Sequence, residues 1–174
     1  MVRRALLLPL WLALQGAVAA AAPPHIAAQL PEARLAGTGT YRWFGLRVYD
    51  AELWVGAQGY QDGAPFALDL RYAHAFEGRK IAERSAAEIE QLGLGSPTQR
   101  RAWLTRMQTC FPDVEAGTHL TGVYLPDAGV RYYRDGQAIC DIRDVQFASA
   151  FFAIWLDPRT SDRALRAELL GAGK

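Results

Sequence analysis

The chain predicts an α+β fold, an antiparallel sheet with helices covering one face, on two observations. The first is segregation: three strand-like runs, two helix-like runs, three more strands and two more helices follow in that order. Runs grouped this way build an antiparallel sheet rather than alternating βαβ units. The second is a change of period, from apolar–polar alternation in the strands to recurrence every three or four residues in the helices.

Residues 34–44 alternate loosely and are rich in Thr, Gly and aromatics, which predicts a strand. Gly45 marks a turn, and residues 46–55, "LRVYDAELWV", form the antiparallel partner. Strict alternation puts Arg47, Tyr49, Ala51, Leu53 and Val55 on one face, with Leu46, Val48, Asp50, Glu52 and Trp54 on the other. Residues 66–72 give a third strand, with Phe66, Leu68, Leu70 and Tyr72 on one side.

From residue 78 to 92 the period becomes helical: Ile81, Ser85, Ile89 and Leu92 line one side, and Arg84 and Glu88 stand i,i+4 on another. The next helix starts clearly, with Ser96 as N-cap, Pro97 at the first helical position and Gln99 completing a capping box. Its apolar stripe is Trp103, Met107 and Cys110, widened by Leu104 and Phe111.

Residues 119–125, 130–134 and 137–142 read as a meander. Asp135-Gly136 is a two-residue hairpin turn that needs positive φ. That register sets Tyr133 opposite Ala138 and Arg131 opposite Cys140. Residues 145–156 are apolar nearly all round, as in a helix buried within a domain, and at about a dozen residues they are too short to span a bilayer. Asp157-Pro158 ends that helix, and Thr160 or Ser161 caps a last one carrying Leu165, Leu169 and Leu170.

The first residues are set apart from this domain. Arg3 and Arg4 precede an apolar run and then small residues up to Ala22, the pattern of a secretory signal peptide. A retained membrane anchor is the rival reading, but Pro9, Gln15 and Gly16 shorten the apolar part. The expected division is a signal peptide at 1–22, a leader at 23–34 in which His25 is mobile, and one domain at 35–174. Export places the protein in the periplasm or outside the cell. Loss of Arg3 and Arg4 takes the 19 Lys+Arg to 17 against 18 Asp+Glu. A net charge so near zero asks for neither nucleic acid nor an anionic membrane surface.

Standard catalytic signatures are missing: the sequence has no GxSxG elbow, HExxH, P-loop or calcium loop. Gly37 and Gly39 lie inside a strand, so they read as a bulge or a close backbone approach rather than a nucleotide loop. The three histidines have no ligand spacing, and neither a metal nor a cofactor is predicted. Arg47 and Tyr49 could hold an anion at the margin of an apolar face; the alternative is an arginine that snorkels to water beside a core tyrosine.

Two long motifs, "GTGTYRWFGLRVYDAELWV" and "FASAFFAIWLDPRTSDRALRAELLG", with "FPDVEAGTHLTGVYLPDAGVRYYRDG" between them, resemble the exported bacterial branch of the chalcone isomerase-like superfamily. The resemblance implies an open-faced β-sandwich, a large antiparallel sheet backed by helices, with a ligand cleft between them. That superfamily includes enzymes that cyclise chalcones, fatty-acid binders and non-catalytic helpers, so fold alone does not choose an activity. Tyr49 resembles the position of a plant active-site threonine, and Arg42 that of an arginine facing the ligand's anionic group. The plant enzyme's helix-associated tyrosine and asparagine have no counterpart in "FEGRKIAERSA", which counts against flavonoid cyclisation.

The cysteines depart from the pattern of the resembled family, and their joint appearance implies a Cys110 to Cys140 bridge; two buried packing cysteines are the alternative. The expected function is binding of a small amphipathic acid such as a fatty acid, without catalysis. Arg42 would hold the head, Tyr49 would donate a hydrogen bond, and Trp43 and Phe151 would form apolar walls. An isomerase or lyase using an Arg-stabilised oxyanion, and a structural or partner-binding envelope protein, are the alternatives. Oligomeric state is open.

Overall fold

The computed structural model describes residues 21–171; the expected signal segment lies outside them but for its last two residues. Six strands, β1 (Arg34–Trp43), β2 (Leu46–Val55), β3 (Phe66–Tyr72), β4 (His119–Leu125), β5 (Gly129–Arg134) and β6 (Gln137–Ile142), form one antiparallel sheet in sequence order. The helices are α1 (Pro24–Ala27), α2 (Gly78–Gln91), α3 (Pro97–Cys110), α4 (Val145–Leu156) and α5 (Arg163–Leu169). This is the α+β architecture the sequence predicts, with α2 to α5 gathered on one face of an open sheet. No helix among the described residues is long and apolar enough to cross a membrane.

Alternation decides which face is covered. Ala51, Leu53, Val55, Phe66, Leu68, Leu70, Tyr72, Tyr124 and Tyr132 point to the helices and form the main core with Ile89, Trp103, Met107, Phe147 and Trp155. The helix α4 lies inside this core, with seven of its twelve residues buried. Asp144 caps it by accepting from the Phe147 N–H at 2.9 Å, and also accepts from the Trp103 indole and Arg106, which tethers α3. The capping box of α3 forms as predicted, with Ser96 and Gln99 exchanging hydrogen bonds. The cap of α5, however, is Asp162, because Thr160 donates back to the Ile154 carbonyl and Ser161 reaches Glu88.

Two β-bulges change the expected register. In β1–β2 the pairs Tyr41–Tyr49 and Arg42–Arg47 leave Val48 extra, and one extra residue reverses the facing of every residue beyond it. Arg47 therefore leaves the face of Tyr49 and pairs with Asp50 on the outer side, while Leu46 turns inward. In β5–β6 a second bulge puts Cys140 opposite Tyr132 and gives Arg131 to Asp141, although Tyr133 does face Ala138. Cys110 and Cys140 are joined by a disulfide, Cα–Cα 5.8 Å, that ties the end of α3 to the edge strand β6.

The glycines of β1 let α5 approach. A Cβ on Gly37 would lie 2.1 Å from the Glu168 carbonyl oxygen, and one on Gly39 2.5 Å from a Leu165 methyl. A bulge also falls between Leu35 and Gly37, so both roles expected of this pair occur together.

The outer sheet face carries a smaller apolar cluster, in which Ile26 and Leu30 of the N-terminal segment cover Trp54, Ala67, Val123 and Tyr133. His25 is accordingly docked rather than mobile: its Nε2 lies 3.0 Å from Thr121 Oγ1, and its ring packs on Tyr133. Thr121 in turn donates to the buried carboxylate of Asp69, whose other oxygen is 2.6 Å from His119 Nδ1.

Candidate functional site

Between the inner sheet face and helices α2 and α4 lies a cavity of about 440 Å³. Its walls follow from strand parity. Tyr41 and Trp43 of β1, Leu46 and Tyr49 of β2, Leu68, Leu70 and Tyr72 of β3, and Tyr132 of β5 face it from the sheet, and Phe151, Phe152 and Trp155 close it from α4. Aromatic contacts hold the walls in place. Tyr49 stacks on Tyr41 at 5.1 Å and meets Tyr72 edge-on, and Phe151 meets Tyr132 edge-on at 5.5 Å. Such pairs fix ring orientation beyond simple apolar burial.

Few polar groups break this lining, and they are not scattered evenly. At the β1 side, helix α2 brings Lys80, Arg84, Ser85 and Glu88 to the lining, opposite Tyr41 and Trp43. The Arg84 guanidinium sits 4.4 Å above the Trp43 ring and ion-pairs with Glu88, whose second oxygen accepts from Ser161 at 3.0 Å. Burial pushes the Tyr41 phenol up, while Arg84 beside it pulls the other way. Inside, the Tyr49 hydroxyl accepts from the Trp155 indole at 2.9 Å and keeps its own proton to donate. Burial raises that phenol well above its ordinary range, so it stays protonated at neutral pH. Among the described residues, Tyr132 Oη is the buried side-chain polar atom left without a hydrogen-bond partner.

The structure treats the four expected ligand residues differently. Trp43, Tyr49 and Phe151 line the cavity. Arg42 does not: it lies between Tyr41 and Trp43 in a strand, so alternation turns it to the opposite side, where it is exposed and donates to the Gly45 carbonyl at 3.5 Å. The cations that do reach the cavity are Lys80 and, seated over the Trp43 ring, Arg84. Its i,i+4 relation to Glu88 was visible, but the useful signal was that Glu88 falls between Ser85 and Ile89, at the edge of the apolar stripe. Glu88 is 7% exposed, which for a carboxylate requires a partner.

A second depression, about 810 Å³, lies between α3, α4 and the loop before β3. Although larger, it has a polar rim of Asp62, Gln99, Gln146, Asp157 and Arg166. The smaller cavity is the one with a continuous aromatic wall and a few convergent polar groups, the usual make-up of a small-molecule site.

A family model described as chalcone isomerase-like matches residues 18–171. An uncharacterized protein of Haemophilus influenzae is 33% identical over 139 residues, which cover 79% of this chain and 68% of that protein. Among solved structures, the crystal structure of an Arabidopsis thaliana fatty-acid binding protein superposes with a TM-score of 0.61. That match covers 82% of this chain and 88% of the plant chain at 10% identity, a likeness of fold.

Proposed function

The chain belongs to the chalcone isomerase-like family, and from that premise we propose that it binds a small amphipathic acid, a fatty acid foremost, without transforming it. The observation that carries the proposal is the cavity's asymmetry: an aromatic and aliphatic interior of about 440 Å³ with its charged side chains gathered around Arg84. Pockets that take small molecules span about 300–1,000 Å³. An acyl chain gains by leaving water in such an interior. The carboxylate would accept from the N–H groups that Arg84 does not give to Glu88, and from the Tyr41 hydroxyl. Its chain would run past Tyr49 and Phe151 toward Tyr132.

The fold of a fatty-acid binding protein supports this reading. So does the protonated Tyr49 phenol, which suits a hydrogen-bond donor rather than a base. A purely structural role would be favoured by a cleft filled with side chains, and this one is open. The proposal includes export to the periplasm or beyond, supported by the basic, apolar and small-residue order of residues 1–22.

The test is titration of the purified chain with long-chain carboxylic acids and with the matching alcohols. The reading expects saturable binding of the acids, weakened when Arg84 is neutralised. Equal and weak partitioning of acids and alcohols, unchanged by Arg84 substitution, would remove it.

A further inference from the structure

Five large apolar side chains are exposed among the described residues, and three of them, Trp43, Phe44 and Leu46, sit on the single turn joining β1 to β2. Phe44 is 94% exposed. Its φ is +46°, followed by Gly45 at +82°, which is the backbone of a tight hairpin turn that Asn-Gly fills most easily. A bulky residue in that region is strained, and among the described residues the aromatic contact of Phe44 is with its neighbour Trp43, edge-on at 5.2 Å, which leaves the ring open to solvent. Two neighbours of the tip, Trp43 and Leu46, also line the cavity. The turn is therefore the cavity's rim.

Four cations surround the tip. Arg42 and Arg47 flank it on the outer side, and Lys80 and Arg84 on α2 face the same rim from within. Their carboxylate partners are Asp50, Glu83 and Glu88, while Arg42 bonds a backbone carbonyl. Arg42 is thus the one of the four without a carboxylate partner among the described residues, and the exposed Arg47 stands beside it.

We propose that the Trp43–Leu46 tip is a docking element that inserts into an anionic phospholipid bilayer, setting the cavity's rim against the acyl region from which a ligand is taken or to which it is given. An exposed Trp-Phe pair ringed by arginines matches the interface, where aromatic side chains settle at headgroup depth and cations meet anionic lipid. A second copy of the chain is a poorer occupant, because pairing two such tips brings arginine against arginine. Docking itself does not depend on the ligand reading; only the transfer step rests on it.

The experiment is flotation of the purified chain with vesicles of phosphatidylcholine alone and of phosphatidylcholine mixed with phosphatidylglycerol. Binding is expected on the mixed vesicles and is weakened by salt. Phe44→Asn is the decisive variant, because Asn-Gly suits the turn: it is expected to keep or raise the melting temperature and yet lose about tenfold or more in vesicle partitioning, as removal of one buried aromatic should. Arg42→Gln with Arg47→Gln is expected to lower binding to mixed vesicles and leave the weak binding to phosphatidylcholine unchanged. Vesicle binding equal in Phe44→Asn and the parent overturns the proposal, as does no vesicle binding at all. A dimer in sedimentation that Phe44→Asn dissociates, without vesicle binding, overturns it in favour of self-association. Solution titration with a soluble fluorescent fatty acid separates the two readings: Phe44-dependent docking with no fatty-acid binding keeps the docking element and discards the ligand.

Discussion

The guanidinium of Arg84 lies 4.4 Å from the centre of the Trp43 ring and is ion-paired to Glu88 one helical turn further on. A helix and an edge hairpin thus meet at one cation. The ring face stabilises the charge, the carboxylate holds the fork, and the remaining N–H groups of the arginine are left for an anion at the cavity.

Removing that cation alone would strand Glu88, so the informative variant is the pair Arg84→Gln with Glu88→Gln. It is expected to weaken binding of a long-chain carboxylic acid by about 10- to 100-fold, the worth of a charge-assisted hydrogen bond or two, and to leave the matching alcohol unaffected. Isothermal titration with both ligands checks it. Equal losses for acid and alcohol would point to a damaged cavity instead.

Tyr132 Oη is buried and unpaired. Replacing the tyrosine with phenylalanine removes a polar atom that gains no hydrogen bond on folding, so Tyr132→Phe should leave the ligand-free protein as stable as the parent or more stable by up to about 1 kcal/mol. Urea denaturation measures it, and a loss above that size would show that the hydroxyl is satisfied in solution.

The Cys110–Cys140 bridge closes a sequence separation of 30 residues. In the chain-entropy account a loop of this length contributes about 3–4 kcal/mol. Cys110→Ser with Cys140→Ser should lower stability by about 2–4 kcal/mol, and denatured, unreduced parent should titrate no free thiols. Two free thiols would place the oxidised bond in doubt.

Both ends of α4 rest on carboxylates held below their usual pKa of 3.8. At Asp144, burial acts upward but is outweighed by the Phe147 N–H, the Trp103 indole and Arg106. At Asp157, hydrogen bonds from the Arg159 side chain lead, and the value falls to about 2. Depressed folded values contribute stability that is present above the unfolded pKa and lost as pH falls through the folded one. Denaturation free energy should therefore be flat down to about pH 5 and decline between about pH 4 and pH 2. In Asp144→Asn part of that decline should vanish. A decline completed above pH 5 would assign acid sensitivity to other groups.

The strand and helix order was legible because each element states its own period: β2, β3, β6 and α4 begin and end where alternation or the apolar run does. Ser96-Pro97 and Asp135-Gly136 are local signals whose geometry needs no distant partner. The candidate site was less legible. One extra residue at Val48 reverses Arg47 and Leu46, and a bulge leaves no mark on the apolar pattern around it. Arg42 rests on resemblance, yet simple alternation between Tyr41 and Trp43 turns it away. Arg84 required knowing that α2 brings this side chain over Trp43 at the end of β1, a tertiary fact. The docking of His25 onto Thr121 and Tyr133 likewise depends on contacts between residues far apart in the chain.

The central claim, an amphipathic acid in the cavity beneath Trp43 and Arg84, is tested most directly by purifying the protein from its native compartment without detergent, denaturing it, and identifying by mass spectrometry the small molecule released. The account predicts about one long-chain acid per chain in the parent and markedly less in the Arg84→Gln, Glu88→Gln protein. An empty parent protein whose melting temperature also fails to move with added fatty acids would contradict it.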